Sequence, residues 1–255
     1  MDKQKNATGA VVQAFGNLLH VRFDGAIRQG EMAHVKVGDE SLLAEVIEIA
    51  GNQAKIQVFE DTQGIKLNTP VHFVGHLLEA ELGPGLLSTI FDGLQNPLEK
   101  IADQTGVFLK RGVYFAPLDR EKRWDFQPVA RAGDVLERGD TLGTVQEGRF
   151  PHHIMVPFSH FGKVKITHVL KAGSYTVDTV IAEGEDEQGK KLSFAMVQKW
   201  PVKNALLQGK KMRPEGMMST GLRILDTQFP ILKGGTFCSP GPFGAGKTVM
   251  QHHLS

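Results

Sequence analysis

The chain has 255 residues, 41% of them apolar and 22% charged, the proportions of a soluble globular protein with one or two domains. Lys and Arg number 29 and Asp and Glu 28, so the net charge is +1, which gives no electrostatic footprint for nucleic acid or an anionic membrane. The single cysteine, Cys238, excludes an intrachain disulfide, and no run of about 18 apolar residues is present to span a bilayer.

The N-terminus, Met1 through Gly9, carries no apolar signal core. Residues 9–75 are expected to form short strands. Segments 10–14 and 18–23 flank the tight-turn pair Gly16-Asn17, and segments 33–37, 41–49 and 55–59 follow at regular spacing. Such spacing predicts a small β-barrel or sandwich. Residues 86–94 place Leu86, Leu87, Ile90 and Leu94 near helical spacing, which predicts a short apolar helix. Asn96-Pro97 is expected to start a second helix through residue 102, because proline is tolerated in a first turn.

Residues 129–197 return to β patterning, with glycine turns at Gly133, Gly139 and Gly143 and strand pieces at 162–166, 173–177 and 179–182. The pattern is similar to the flattened β folds of biotin and lipoyl carriers. A carrier needs a modifiable lysine on an exposed hairpin. Residues 146–157 contain none, so the segment is read as a structural β module. Residues 184–191 have the charge and glycine of a solvated hairpin tip. A helix is expected at 220–227, a short strand at 235–240, and a final helix from about Gly246.

Between that strand and that helix stands Gly241-Pro242-Phe243-Gly244-Ala245-Gly246-Lys247-Thr248, a match to G-x-x-x-x-G-K-[ST]. Each residue type has a physical reason. Backbone N–H groups bind a triphosphate only where the chain wraps closely around it, which glycine permits. Lys247 supplies a mobile positive charge for the β- and γ-phosphates. The Thr248 hydroxyl is a ligand for Mg²⁺. The following helix points its positive end at the phosphates. The implied substrate is ATP or ADP with Mg²⁺.

With these residues in place the chain resembles the catalytic A subunit of V-type and archaeal A-type rotary ATPases, including the bacterial forms. The loop with Pro242-Phe243 is similar to that family's P-loop and differs from the loops of F-type β subunits and flagellar export ATPases. Further segments match in order: Leu82 to Leu87 with Phe91-Asp92-Gly93, Phe108 to Gly112, Leu118-Asp119-Arg120, Gln198 to Val202, Thr220-Gly221 with Asp226-Thr227 and Phe229-Pro230, and Lys233 to Thr236. The resemblance implies a mixed β and α/β fold: an N-terminal β-barrel at 1–75, a first segment of the nucleotide-binding domain at 76–114, a β-rich insertion or bulge at 115–197, and the start of a RecA-like P-loop domain at 198–255. It implies ATP hydrolysis or synthesis coupled to H⁺ or Na⁺ movement. The implied partners are B subunits in an alternating ring of three A and three B, central-stalk and peripheral-stalk subunits, and a membrane ion-translocating sector. The implied location is the cytoplasmic face of the membrane, held there by partners. By the same resemblance Gly241, Pro242, Phe243, Gly244, Ala245 and Gly246 form the phosphate cradle, with Phe243 shaping it.

The resemblance places the water-activating acid, the Mg²⁺-orienting aspartate and the adenine pocket beyond Ser255, so the chain by itself is expected not to hydrolyse ATP. Residues 220–255 are expected to be poorly packed in isolation. The pairs His152-His153 and His252-His253 are poor metal sites, because neighbouring residues do not share a face. Cys238 is assigned as a small strand residue and not a nucleophile, Trp124 and Trp200 to packing, and Asp119, Glu121 and Asp125 to a solvated face. The readings weighed against this one are an F-type β subunit or export ATPase, and an assembly module in which the loop is incidental.

Overall fold

Alternating apolar and polar residues set the first six strands: β1 (Thr8–Phe15), β2 (Leu18–Asp24), β3 (Glu31–Val37), β4 (Glu40–Ala50), β5 (Gln53–Val58) and β6 (Pro70–Leu77). The computed structural model describes residues 7–87, 89–106, 108, 110–206 and 212–255. In it the six strands close into a barrel in the order β1-β2-β5-β4-β3-β6, with β1 bonded to both β2 and β6. Val11, Val21, Val35, Leu42, Ile56, Val71 and Phe73 fill its interior. The sequence-level choice between barrel and sandwich is therefore resolved as a barrel. Strand β6 lacked a signal of its own, because its exposed positions carry His72, Gly75 and His76.

Strand β7 (Glu79–Leu82) leaves the barrel, and β16 (Gln198–Pro201) returns antiparallel beside it, with Trp200 opposite Ala80. Between them lie helix α1 (Leu98–Thr105) and eight strands: β8 (Arg123–Pro128), β9 (Val135–Leu136), β10 (Thr141–Glu147), β11 (Phe150–Met155), β12 (Val164–Val169), β13 (Gly173–Thr176), β14 (Val180–Asp186) and β15 (Lys191–Ala195). They make two four-stranded sheets, β11-β10-β8-β13 and β15-β14-β12-β9. One core holds them, built on Phe126, Leu142, Ile154, Ile166, Ile181 and Phe194. Gly143 makes the first sheet possible. A Cβ there would lie 2.2 Å from Cε2 of the Phe126 ring, so any larger residue would push the ring off the ladder.

Where the sequence suggested a helix at 86–94, the described residues are not helical. Side chains take the amides a helix would need. Glu147 accepts from the Gly85 and Leu87 N–H groups at 2.6 and 3.0 Å, and Asp92 accepts from Leu94 and Asn96 at 2.8 Å each. Helix α1 does form after Pro97, as expected, and runs to Thr105.

Chain divides into two compact units, residues 1–206 and 207–255. The second unit holds a two-stranded ladder of β17 (Met217–Met218) and β18 (Ile231–Leu232), helix α2 (Arg223–Gln228) and helix α3 (Lys247–Leu254). Residues 235–240 are not a strand, contrary to expectation. They have no ladder partner among the described residues, and a strand is defined by its neighbour. The segment that pairs is Ile231–Leu232, four residues earlier in the chain than the glycine turn would suggest.

Segment 110–114 is tied to the barrel by Tyr114. Its hydroxyl accepts from the Leu43 N–H at 2.9 Å and donates to Glu60 in a short bond, while Glu60 also accepts from Gly112 N–H at 2.7 Å. Burial, with the Glu60 hydrogen bond and charge added to it, raises the Tyr114 pKa well above the ordinary tyrosine value. The sign follows directly. The unfolded chain ionises this phenol near pH 10 and the folded chain does not, so the contribution is whole below about pH 10 and is lost as pH rises past it. Tyr114→Phe should cost about 1 kcal/mol at neutral pH. Denaturant melts of the two chains at a series of pH values should show that gap narrowing above pH 10. A gap that stays constant would contradict the Tyr114–Glu60 assignment.

Candidate functional site

The glycine loop is built by two left-handed residues. Gly244 has φ 79° and Gly246 has φ 77° with ψ 12°, a region an L side chain enters at a cost of about 1–2 kcal/mol. Between them the Ala245 N–H bonds the Pro242 carbonyl at 3.3 Å and closes a tight turn. Gly246 then caps α3, and the first helical bond runs from Met250 N–H to Gly246 C=O at 3.0 Å. Nothing in 247–254 breaks the helix, since the stretch lacks proline and glycine. The expected loop-to-helix transition is therefore present, although no strand leads into it.

The start of α3 has no side-chain cap and no acidic residue in its first turn. Its first N–H groups thus have no acceptor inside the helix, and their positive end is not neutralised. Lys247 adds a full charge at the same place. Its ammonium donates to the Gly241 and Pro242 carbonyls at 2.6 Å each, so the side chain lies back across the loop. Gly241 keeps that path clear. A Cβ there would lie 3.2 Å from the Ala245 Cβ and 3.9 Å from the Lys247 Nζ. No atom lies within 4 Å of a Cβ built at Gly244 or Gly246, so at those two positions glycine is demanded by backbone angle, and the space above them is open. Phe243 is fully exposed at the tip, and Thr248 is exposed in the first turn of α3. The eight loop residues are thus consecutive in an exposed turn that ends at the uncapped start of α3.

That donor set suits an anion. It also suits Mg²⁺ only in company. Among the described residues no group of three or more His, Cys, Asp or Glu side chains is placed to hold a metal ion. The Thr248 hydroxyl is a single neutral oxygen, so a divalent ion at this loop would draw its remaining ligands from phosphate oxygens and water.

Other parts of the second unit brace the loop's helix. Asp226 accepts from Thr220 through both its N–H at 2.9 Å and its hydroxyl at 2.7 Å, and from Gly221 N–H at 3.1 Å. These bonds, the Thr220 N–H foremost, hold the Asp226 carboxyl below its usual range. His253 Nε2 lies 3.0 Å from the Thr220 carbonyl oxygen and links the last turn of α3 to the same corner. His253 was set aside from the sequence as a metal ligand, and its partner here is a backbone carbonyl. None of α3 is buried and α2 buries Leu225 alone.

Sequence reasoning did not reach Glu147, a buried carboxylate 5% exposed. It holds the Gly85 and Leu87 amides on one oxygen and His152 Nδ1 at 2.7 Å on the other. Its partners lie about 60 residues away in the chain, so no local pattern announces it. Asp119 is, as expected, at the surface. Glu121 and Lys122 N–H groups donate to it, and the first of these bonds lowers its pKa.

Comparison with known proteins places these parts. Residues 11–75 match the beta-barrel domain of the ATP synthase alpha/beta family, and residues 115–203 match the ATP synthase alpha/beta subunit barrel-sandwich domain. The chain is 65% identical over 253 residues to the V-type ATP synthase alpha chain of Protochlamydia amoebophila, covering 99% of this chain and 43% of that protein. It is 61% identical over 252 residues to the chain of the same name in Chlamydia muridarum, covering 99% and 42%. With the Chlamydia caviae counterpart it shares 61% over 247 residues, covering 97% and 42%. The chain thus spans about two fifths of the length of these relatives.

Gly246→Ala keeps free space for the new methyl but imposes the left-handed strain. We expect a cost of about 1–2 kcal/mol, concentrated at the start of α3. Amide exchange at Met250, whose N–H bonds the Gly246 carbonyl, should speed up about tenfold or more. Unchanged exchange at Met250 would show that the loop does not depend on that angle.

Proposed function

The chain belongs to the ATP synthase alpha/beta family, and from that premise we propose that it is part of the catalytic subunit of a V-type rotary ATPase, in which residues 241–248 grip the phosphates of ATP or ADP. The observation that carries this reading is the combination of 65% identity along 99% of the chain with a glycine loop that opens helix α3 at its uncapped end. The RecA-like identity of the second unit belongs to the same proposal.

Each loop residue then has a task. The N–H groups at the start of α3 receive phosphate oxygens that no side chain in the loop competes for. Lys247 exchanges two neutral carbonyl partners for phosphate oxygens, and the new bonds are charge-assisted and stronger. Gly241 leaves the room through which the ammonium swings. Thr248 would hold Mg²⁺, which when bound neutralises charge on the phosphates. Phe243, fully exposed at the tip, shapes the rim. Ala245 binds through its backbone, so its small side chain is no obstacle.

Coupling to H⁺ or Na⁺ movement, an alternating ring with B subunits, and attachment to central and peripheral stalks and a membrane sector follow from the same reading. The described residues include no helix long and apolar enough to cross a membrane.

The test uses the full-length subunit in its assembled complex. Lys247→Ala should lower ATP turnover by about a hundredfold or more, because a charge that stabilises the transferred phosphate is gone. The ring should still assemble, since among the described residues the hydrogen bonds of the Lys247 ammonium go to its own loop. Turnover that survives the substitution would sink the proposal.

A further inference from the structure

In the β-rich insertion, strands β8 and β10 pair at only two positions, Gly143 with Pro128 and Thr144 with Gln127. Strand β10 continues to Glu147 and β8 begins at Arg123, yet no ladder joins these ends. The strands diverge, and a cleft of about 820 Å³ opens between them. On its other side β8 is paired with β13 over its first four residues, from Arg123–Thr176 to Phe126–Gly173. The cleft therefore exposes one edge of β8, whose other edge is taken by β13.

The cleft carries a net positive charge. Lys122, Arg123 and Arg149 line it. Its two carboxylates are Asp125 and Glu147, and Glu147 is buried and spent on the Gly85 and Leu87 amides and His152. Asp125 alone remains to oppose three cations. The Lys122 ammonium sits 4.3 Å from the centroid of the Trp124 ring, which leaves its outer face to solvent. Arg123 donates one N–H to the Ser174 carbonyl at 2.6 Å and has further donors. Arg149 stands in the exposed turn of the β10–β11 hairpin beside Phe150, which is 64% exposed. The floor holds an unmet donor, because the buried Trp124 Nε1–H has no acceptor among the described residues.

We propose that this cleft docks a short acidic segment of a partner protein in extended form. The backbone of that segment adds to the open edge of β8, its carboxylates meet Lys122, Arg123 and Arg149, and an apolar side chain rests on Phe150. A free anion would satisfy the cations and leave the strand edge unused. A nucleic acid would need a longer basic track than three residues in a chain of net charge +1. The inference does not depend on the nucleotide loop and stands or falls separately from it.

The probe is acetyl-Glu-Val-Glu-Val-Glu-amide, titrated into the ¹⁵N-labelled 255-residue chain. The chain has two tryptophans, so the indole N–H signal of Trp124 is resolved from one other. That signal and the Asp125 amide should shift saturably, less strongly at high salt, and Arg149→Glu should weaken binding about tenfold. Melting temperature monitors the fold of the variant. Lys122→Gln provides a second, milder exposed substitution with the same expected direction. The proposal is overturned if neither signal moves, if a Lys-Val-Lys-Val-Lys peptide gives the same shift, or if inorganic phosphate at equal concentration reproduces it.

Discussion

Every backbone N–H and C=O that leaves water must find a partner. In the barrel the solution is closure. Strand β1 bonds to β2 on one side and β6 on the other, so the sheet has no free edge. Where the barrel ladder shifts register, and beyond the barrel, carboxylates take over the task. Glu31 accepts from the Arg28 and Gly75 amides, Glu60 from Gly112, Asp92 from Leu94 and Asn96, Glu147 from Gly85 and Leu87, and Asp226 from Thr220 and Gly221. Each fixes an irregular segment where no ladder is available. Buried carboxylates such as Glu31 and Glu147 are thereby stable as structural acceptors and need no catalytic role.

The same rule locates function where it is broken. The first turn of α3 has neither a side-chain cap nor an acidic residue, and it follows left-handed glycines at 244 and 246. A protein that stabilised this end internally would have placed serine or aspartate at the cap. On the proposed function, phosphate would fill that vacancy in hydrogen bonding. The divergence of β8 from β10 is a second break, at a strand edge rather than a helix end, and cations surround it too.

Much of this was legible in the sequence, for reasons that can be stated. Alternation gave β1 through β5 because one face of each packs inside the barrel. The loop was legible because a phosphate cradle needs glycine, lysine and threonine at fixed spacing. Two readings failed. The apolar spacing of Leu86, Leu87, Ile90 and Leu94 looks helical, but Glu147 from far along the chain captures the amides first. Residues 235–240 have strand composition, but a strand also needs a neighbour, and the pairing went to Ile231–Leu232. Both errors have one cause: local pattern reports preference, while hydrogen-bond partners distant in sequence decide the outcome. The cleft between β8 and β10 was invisible for the same reason, since it exists only where two ladders part.

The central claim is that the unsatisfied amides at the start of α3 receive nucleotide phosphate. Hydrogen–deuterium exchange on the full-length subunit, with and without Mg²⁺-ATP, measures those amides directly. The account predicts that peptides covering residues 241–250 slow markedly with nucleotide, while barrel strands β1 to β6 do not change. Protection that appears elsewhere and leaves residues 241–250 untouched would contradict it.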